Sequence, residues 1–157
     1  MTSYTIYVLA LLIGVVAGLR TFIPLAAVSW AAHLGALDLQ GTWLSFLSSA
    51  PAPWIFSVLA LVELVADQLP KTASRKTPWQ FGARIASGVV CGAAVGTAAY
   101  SWPTGAIVGG VGAVLGTLAG SGARARLAGV FHRDRPAAFI EDAVAILAAV
   151  LIVGVFG

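Results

Sequence analysis

One block of the chain, Ile6 to Leu37, carries a single formal charge, Arg20, inside an otherwise largely apolar run. At about 1.5 Å per residue a continuous helix over this block would be roughly 48 Å long, against a hydrocarbon core of about 30 Å. The block must therefore tilt or bend, with its end running along a membrane surface, or break. A break has a natural place. Thr21 is a residue type that caps helix N-termini, and Pro24 then falls in the first turn, where a missing N–H is tolerated. Two short helices of about 16 residues each would form a reentrant hairpin or two passes. Arg20 would stand at the end of the broken pair, close to the other charges of the chain. An unbroken helix would strand it where it must find a carboxylate or snorkel. The break is the preferred reading.

The rest of the sequence makes the membrane the right solvent to consider. Of 157 residues, 59% are hydrophobic and 10% charged, whereas a soluble domain has about 25% charged residues with which to cover its surface. Four more apolar blocks follow, Pro53 to Asp67, Ile85 to Tyr100, Thr104 to Ala123 and Ala137 to Phe156. The expected fold class is all-α, a polytopic transmembrane bundle of about five spans in one domain covering residues 1–157. No Lys or Arg precedes the first apolar stretch, so it reads as a first membrane helix and not as a cleaved signal.

The basic residues lie in gaps between blocks, Lys71, Arg75, Lys76 and Arg84 in one and Arg124, Arg126, Arg133 and Arg135 in another. The excess of positive charge on cytoplasmic loops places both gaps, 71–84 and 124–135, inside the cell. Trp43, Trp54 and Trp102 then fall near the outer interface and Trp79 near the inner one. A nucleic-acid partner is excluded, because no continuous phosphate-contacting surface exists. Cys91 is the sole cysteine, so no intrachain disulfide forms.

Glycines recur at helical spacing: Gly88, Gly92 and Gly96 in one block, and Gly105, Gly109, Gly112, Gly116 and Gly120 in the next, with Gly14 and Gly18 in the first. Such stripes let helix backbones approach closely in lipid. They predict close packing, either within the chain or in a homo-oligomer.

Glu63 and Asp67 lie one turn apart on nearly the same helix face. Two carboxylates on a poorly solvated face repel, which favours a proton or a cation between them. Arg20 is the natural partner of Glu63 or Asp67, and Arg84 that of Glu141 or Asp142. These six residues are the expected ion or substrate pathway. A charge at mid-bilayer costs about 2.5–3.5 kcal/mol on insertion scales, so each should be paired, neutral or hydrated. No cofactor is expected, and His33 and His132, on opposite sides of the membrane, cannot form a metal cluster together.

Gly18-Leu-Arg20-Thr21 with Pro24-Leu25, Glu63-Leu-Val-Ala-Asp67-Gln-Leu-Pro70, Arg84 with the Gly88 region, and Glu141-Asp142 together resemble a family of small bacterial integral membrane proteins known chiefly as a domain of unknown function. The resemblance covers almost the full length. It implies a multi-span helical protein of the bacterial inner membrane and no particular activity. Three functions fit the residues. One is a small secondary transporter or channel-like permeation protein for an ion or small solute. Another is a structural or assembly protein in contact with membrane lipids, whose charges lock helices together. The third is an enzyme acting on a lipid headgroup, with Glu63 and Asp67 as acid and base.

Overall fold

In the computed structural model, which describes residues 1–67, 78–131 and 134–157, the apolar blocks are helices whose starts follow the local chemistry. Thr2 caps α1 (Ser3–Leu19) through its side chain, Pro51 opens α3 (Pro51–Ala66), and Pro78 opens α4 (Pro78–Thr97). Between them lie α2 (Phe22–His33) and a short 3-10 helix (Trp43–Ser48); α5 (Trp102–Phe131) and α6 (Asp134–Gly154) follow. Among the described residues all regular structure is helical. By length and composition, Trp102–Arg126 is long and apolar enough to cross a membrane, while α1, α2 and α3 are shorter apolar helices.

The long first block is broken. Arg20 is extended (φ −141°, ψ 126°) between α1 and α2. Pro24 stands in the first turn of α2 and has no N–H to offer Arg20, so one helix could not run through this point unkinked. The segments expected as loops are corrected in part. Residues 78–84 belong to α4 and 124–131 to α5, because arginine, alanine and leucine are good helix formers and the charges in these segments do not end a helix. Pro70, Lys71, Arg75, Lys76, His132 and Arg133 lie outside the described residues.

The helix directions follow from contacts. Gly14 meets Gly109 and Gly18 meets Gly116 and Thr117, so α1 and α5 are parallel. Gly88 and Gly92 meet Gly109, and Gly96 meets Gly105, so α4 runs opposite to both. Arg124 and Glu141, 3.8 Å apart, stand at similar distances on either side of the α5–α6 connection, so α6 returns antiparallel to α5. The start of α2 meets Glu63 late in α3, and Trp30 near its end donates to Ser57 (3.1 Å). Each helix therefore reverses the one before it, and α1 and α2 form a hairpin with Arg20 at its tip.

Packing is uneven. The trio α1, α4 and α5 is in close backbone contact: a Cβ added at Gly14, Gly18, Gly88, Gly92, Gly109, Gly112 or Gly116 would come closer than 3.0 Å to a neighbouring helix. The stripe on α5 divides, Gly105 and Gly109 facing α4 while Gly112 and Gly116 face α1; Gly120 meets the Leu19 side chain. By contrast α3 packs chiefly on α2 and the 3-10 helix. At the end away from Arg20, Leu37, Leu39, Leu44 and Leu47 are buried under the α2–α3 connection, and Trp43 meets Trp102 edge-on at 5.9 Å.

The backbone contacts at the trio leave no room for larger residues. Gly92→Leu and Gly116→Leu should each lower the unfolding temperature in detergent, since overpacking costs about 1–3 kcal/mol or more. An unchanged melting temperature in both variants would contradict this packing.

Candidate functional site

The tip of the α1–α2 hairpin exposes helix-end groups that the two helices themselves cannot satisfy. Three other helices supply their partners. The Gly18 carbonyl, at the end of α1, accepts from Arg84 Nη1 (2.6 Å) and from Thr117 Oγ1 (3.1 Å). The Thr21 carbonyl accepts from Ser87 Oγ (2.6 Å). The backbone N–H groups of Thr21 and Phe22 donate to the two oxygens of Glu63, at 2.8 and 2.9 Å. The cap of α2 thus comes from α3, which corrects the expectation for Thr21: its backbone is αR and its side chain makes no capping bond. The arrangement also matches the helix dipoles, with a cation at the C-terminus of α1 and an anion at the N-terminus of α2.

Arg20 itself is fully buried. Its Nε donates to Asp142 Oδ1 (2.7 Å), Nη2 reaches the same oxygen, and Nη1 pairs with Asp67. The rigid fork of a guanidinium suits this division between two carboxylates on different helices, whereas a lysine offers one point charge. Asp67 also accepts from Arg124 Nη1 (3.3 Å), and Arg124 lies 3.8 Å from Glu141. Asp67 caps the C-terminal end of α3, Glu141 and Asp142 belong to the early turns of α6, and Arg124 is on α5. One cluster thereby joins the tip of the hairpin, α3, α5 and α6.

Of the expected pathway residues, Arg20, Asp67 and Asp142 are in direct contact, Glu141 reaches them through Arg124, and Glu63 and Arg84 hold the backbone beside Arg20. The expected Arg20 partner was Glu63 or Asp67; its ion pairs are with Asp67 and Asp142, because both oxygens of Glu63 are taken up by α2. Arg84, expected against Glu141 or Asp142, sends Nη1 to the Gly18 carbonyl. Three participants escaped sequence reasoning. Arg124 read only as an orientation charge, and Ser87 and Thr117, beside the glycine stripes, were not singled out. Thr117 is the only hydroxyl-bearing residue between Gly105 and Gly120, and that isolation was the available signal. Among the described residues no three His, Cys, Asp or Glu side chains are placed to hold a metal ion.

Fold and cluster define a class: an all-helical bundle with a buried arginine shared between carboxylates at one end. The chain belongs to the family described as Domain of unknown function (DUF4126), whose model matches residues 7–155. No curated protein and no solved structure matches the chain.

Removing one member of a buried pair typically costs about 3–5 kcal/mol, because the partner charge stays behind. Losing a helix cap costs about 0.5–2 kcal/mol. Thermal unfolding in detergent should therefore rank Arg20→Ala as more destabilised than Glu63→Ala, with Arg20→Lys between wild type and Arg20→Ala. A wild-type melting temperature for Arg20→Ala would show that the cluster does not hold the fold.

Proposed function

We propose that this is a multi-pass protein of the bacterial inner membrane in which α1 to α6 all lie across the bilayer. We further propose that it is a small secondary transporter or permeation protein whose inner end is held shut by the Arg20 cluster. The membrane reading is supported by the distribution of exposed side chains. Large apolar residues stand outward on α3 (Ile55, Val58, Leu61, Val62, Val65), α5 (Ile107, Val111, Leu115, Leu118) and α6 (Val144, Leu147, Val150, Leu151), while Arg20, Arg84, Glu141 and Asp142 are buried. An exposed apolar surface of this extent needs a partner phase, and a bundle with charges inside and hydrocarbon outside suits lipid. Trp43, Trp54, Tyr100 and Trp102 then mark the outer interface and Trp79 the inner one. The helices α1 and α2, of 17 and 12 residues, are about 26 and 18 Å long. The leucines of the α2–α3 connection make up the remaining depth.

This orientation is tested by single cysteines in a Cys91→Ala background. Ser45→Cys should react with a membrane-impermeant thiol reagent in intact cells and Gly82→Cys only after the cells are opened. The reverse pattern would invert the topology.

The observation that carries the transport reading is how α3 is held. It packs on α2 and the 3-10 helix; at the charged end Glu63 ties it to the start of α2, and Asp67 ties it to Arg20 and to Arg124 of α5. Disengaging those two carboxylates frees the charged end of α3 from the start of α2, from Arg20 and from α5 while the glycine-packed trio stays rigid. Discontinuous helices with charged residues at the break are how secondary transporters build such sites. Reconstituted protein should carry at least one member of a panel of ions and small solutes, and Glu63→Gln, which leaves one of two acceptor oxygens, should change that flux. A second reading, a structural protein whose charges only lock helices, is favoured by the complete burial of Arg20. It takes over if neither protein differs from empty vesicles for any solute.

A further inference from the structure

We propose that the recess between α2, α3 and α6 binds one acyl chain of a membrane phospholipid, with the headgroup at the Arg20 end. The proposal rests on the membrane reading above and names a class of molecule that enters the bundle from the side. The recess has a volume of about 340 Å³, at the small end of ligand sites. Its walls are Ile23, Ala27 and Trp30 of α2, Ala60 and Leu64 of α3, and Ala149 of α6, with Leu61 and Val150 at its rim. Alanines on three helices make the depression. Its two polar side chains, Trp30 and Ser57, satisfy each other, since the indole N–H donates to Ser57 Oγ at 3.1 Å. What they leave is a dry apolar wall suited to hydrocarbon.

Two further observations select an amphiphile lying along the bundle. The rim is part of the outward apolar girdle, with Leu61 62% and Val150 57% exposed, so in a membrane the recess opens onto lipid. Its other end runs into the charged cluster. Ile23 follows Phe22, whose N–H is held by Glu63, and Leu64 follows Glu63 itself. Ile146 lies one turn beyond Asp142, which holds Arg20. From Ile23 to Trp30 is about 10 Å along α2, so a chain entering from the Arg20 end reaches the indole near its middle. The same hairpin that closes the inner end also forms one wall of the recess, so occupancy by a lipid chain and the position of α3 are coupled.

Tryptophan quenching by phospholipid brominated at mid-chain tests this in phosphatidylcholine vesicles. Three proteins are compared: one with Trp30 as its only tryptophan, the same protein with Ala27→Leu, and a tryptophan-free protein carrying Leu147→Trp, a position on α6 that faces outward (63% exposed). The last reports immersion in lipid. Trp30 should be quenched, and Ala27→Leu, by filling the recess, should reduce that quenching at least two-fold. The proposal is overturned if Trp30 is unquenched while the Leu147→Trp reporter is quenched, or if Ala27→Leu leaves Trp30 quenching unchanged. Protection of Trp30 that disappears when protein is diluted in lipid would assign the recess to a second copy and equally overturn it. An unquenched Leu147→Trp reporter would instead defeat the membrane reading itself.

Discussion

A helix that ends in an apolar interior leaves carbonyls and N–H groups that must be bonded or lose the free energy of a buried unsatisfied group, about 1–3 kcal/mol each. Between Gly18 and Phe22 this chain ends one helix and begins another, and side chains of other helices take up groups that the change exposes. Arg84 and Thr117 take the Gly18 carbonyl, Ser87 takes the Thr21 carbonyl, and Glu63 takes the Thr21 and Phe22 amides. The donors and acceptors come from α3, α4 and α5. The position of each of those helices is therefore tied to one break, formed by Arg20 and Thr21. The glycine contacts serve the same end. Only where α1, α4 and α5 touch backbone to backbone can side chains as short as serine and threonine span to a neighbouring carbonyl.

Arg20 completes the arrangement from the opposite direction. Its backbone belongs to the break, while its guanidinium links α3 to α6 through Asp67 and Asp142. A buried ion pair is weak grounds for stability on its own, because desolvation consumes most of the Coulomb gain. What such a group does well is select one arrangement, since any other leaves a charge unpaired. The cluster is better understood as setting the register of α3 and α6 against the hairpin tip than as a source of net stability.

Much of this was legible in the residues. Helix class follows from block length and composition, and the break from the conflict between a 48 Å run and a single Arg-Thr-x-x-Pro interruption. The joining of Arg20 to an acid followed from the cost of leaving it alone. What sequence could not assign was which acid. Glu63 and Asp67 lie one turn apart on one face, and their roles divide only because α2 starts within reach of the first and not the second. A helix N-terminus is a partner invisible in a list of charged residues: it has half a positive charge and no side chain. The same blind spot hid the Gly18 carbonyl as the acceptor of Arg84. Thr21 misled in a related way, since residue type identified the right position for a cap but not the helix that would provide it.

The two ends of the α2–α3 hairpin are closed by different physics, and this difference bears on how it can move. Away from Arg20, four leucines of the connection are buried, a closure that responds to no proton or ion. At the Arg20 end the closure consists of two carboxylates, Glu63 and Asp67, whose hold depends on charge. Glu63 faces the backbone N–H groups that begin α2, and Asp67 faces the guanidinium groups of Arg20 and Arg124. In the transport reading proposed above, the apolar end is the pivot and the charged end the release. The proposed transport cycle rests on this asymmetry, because a bundle latched by charges at both ends would loosen as a whole, and one sealed by leucines at both ends would have no charged latch to release.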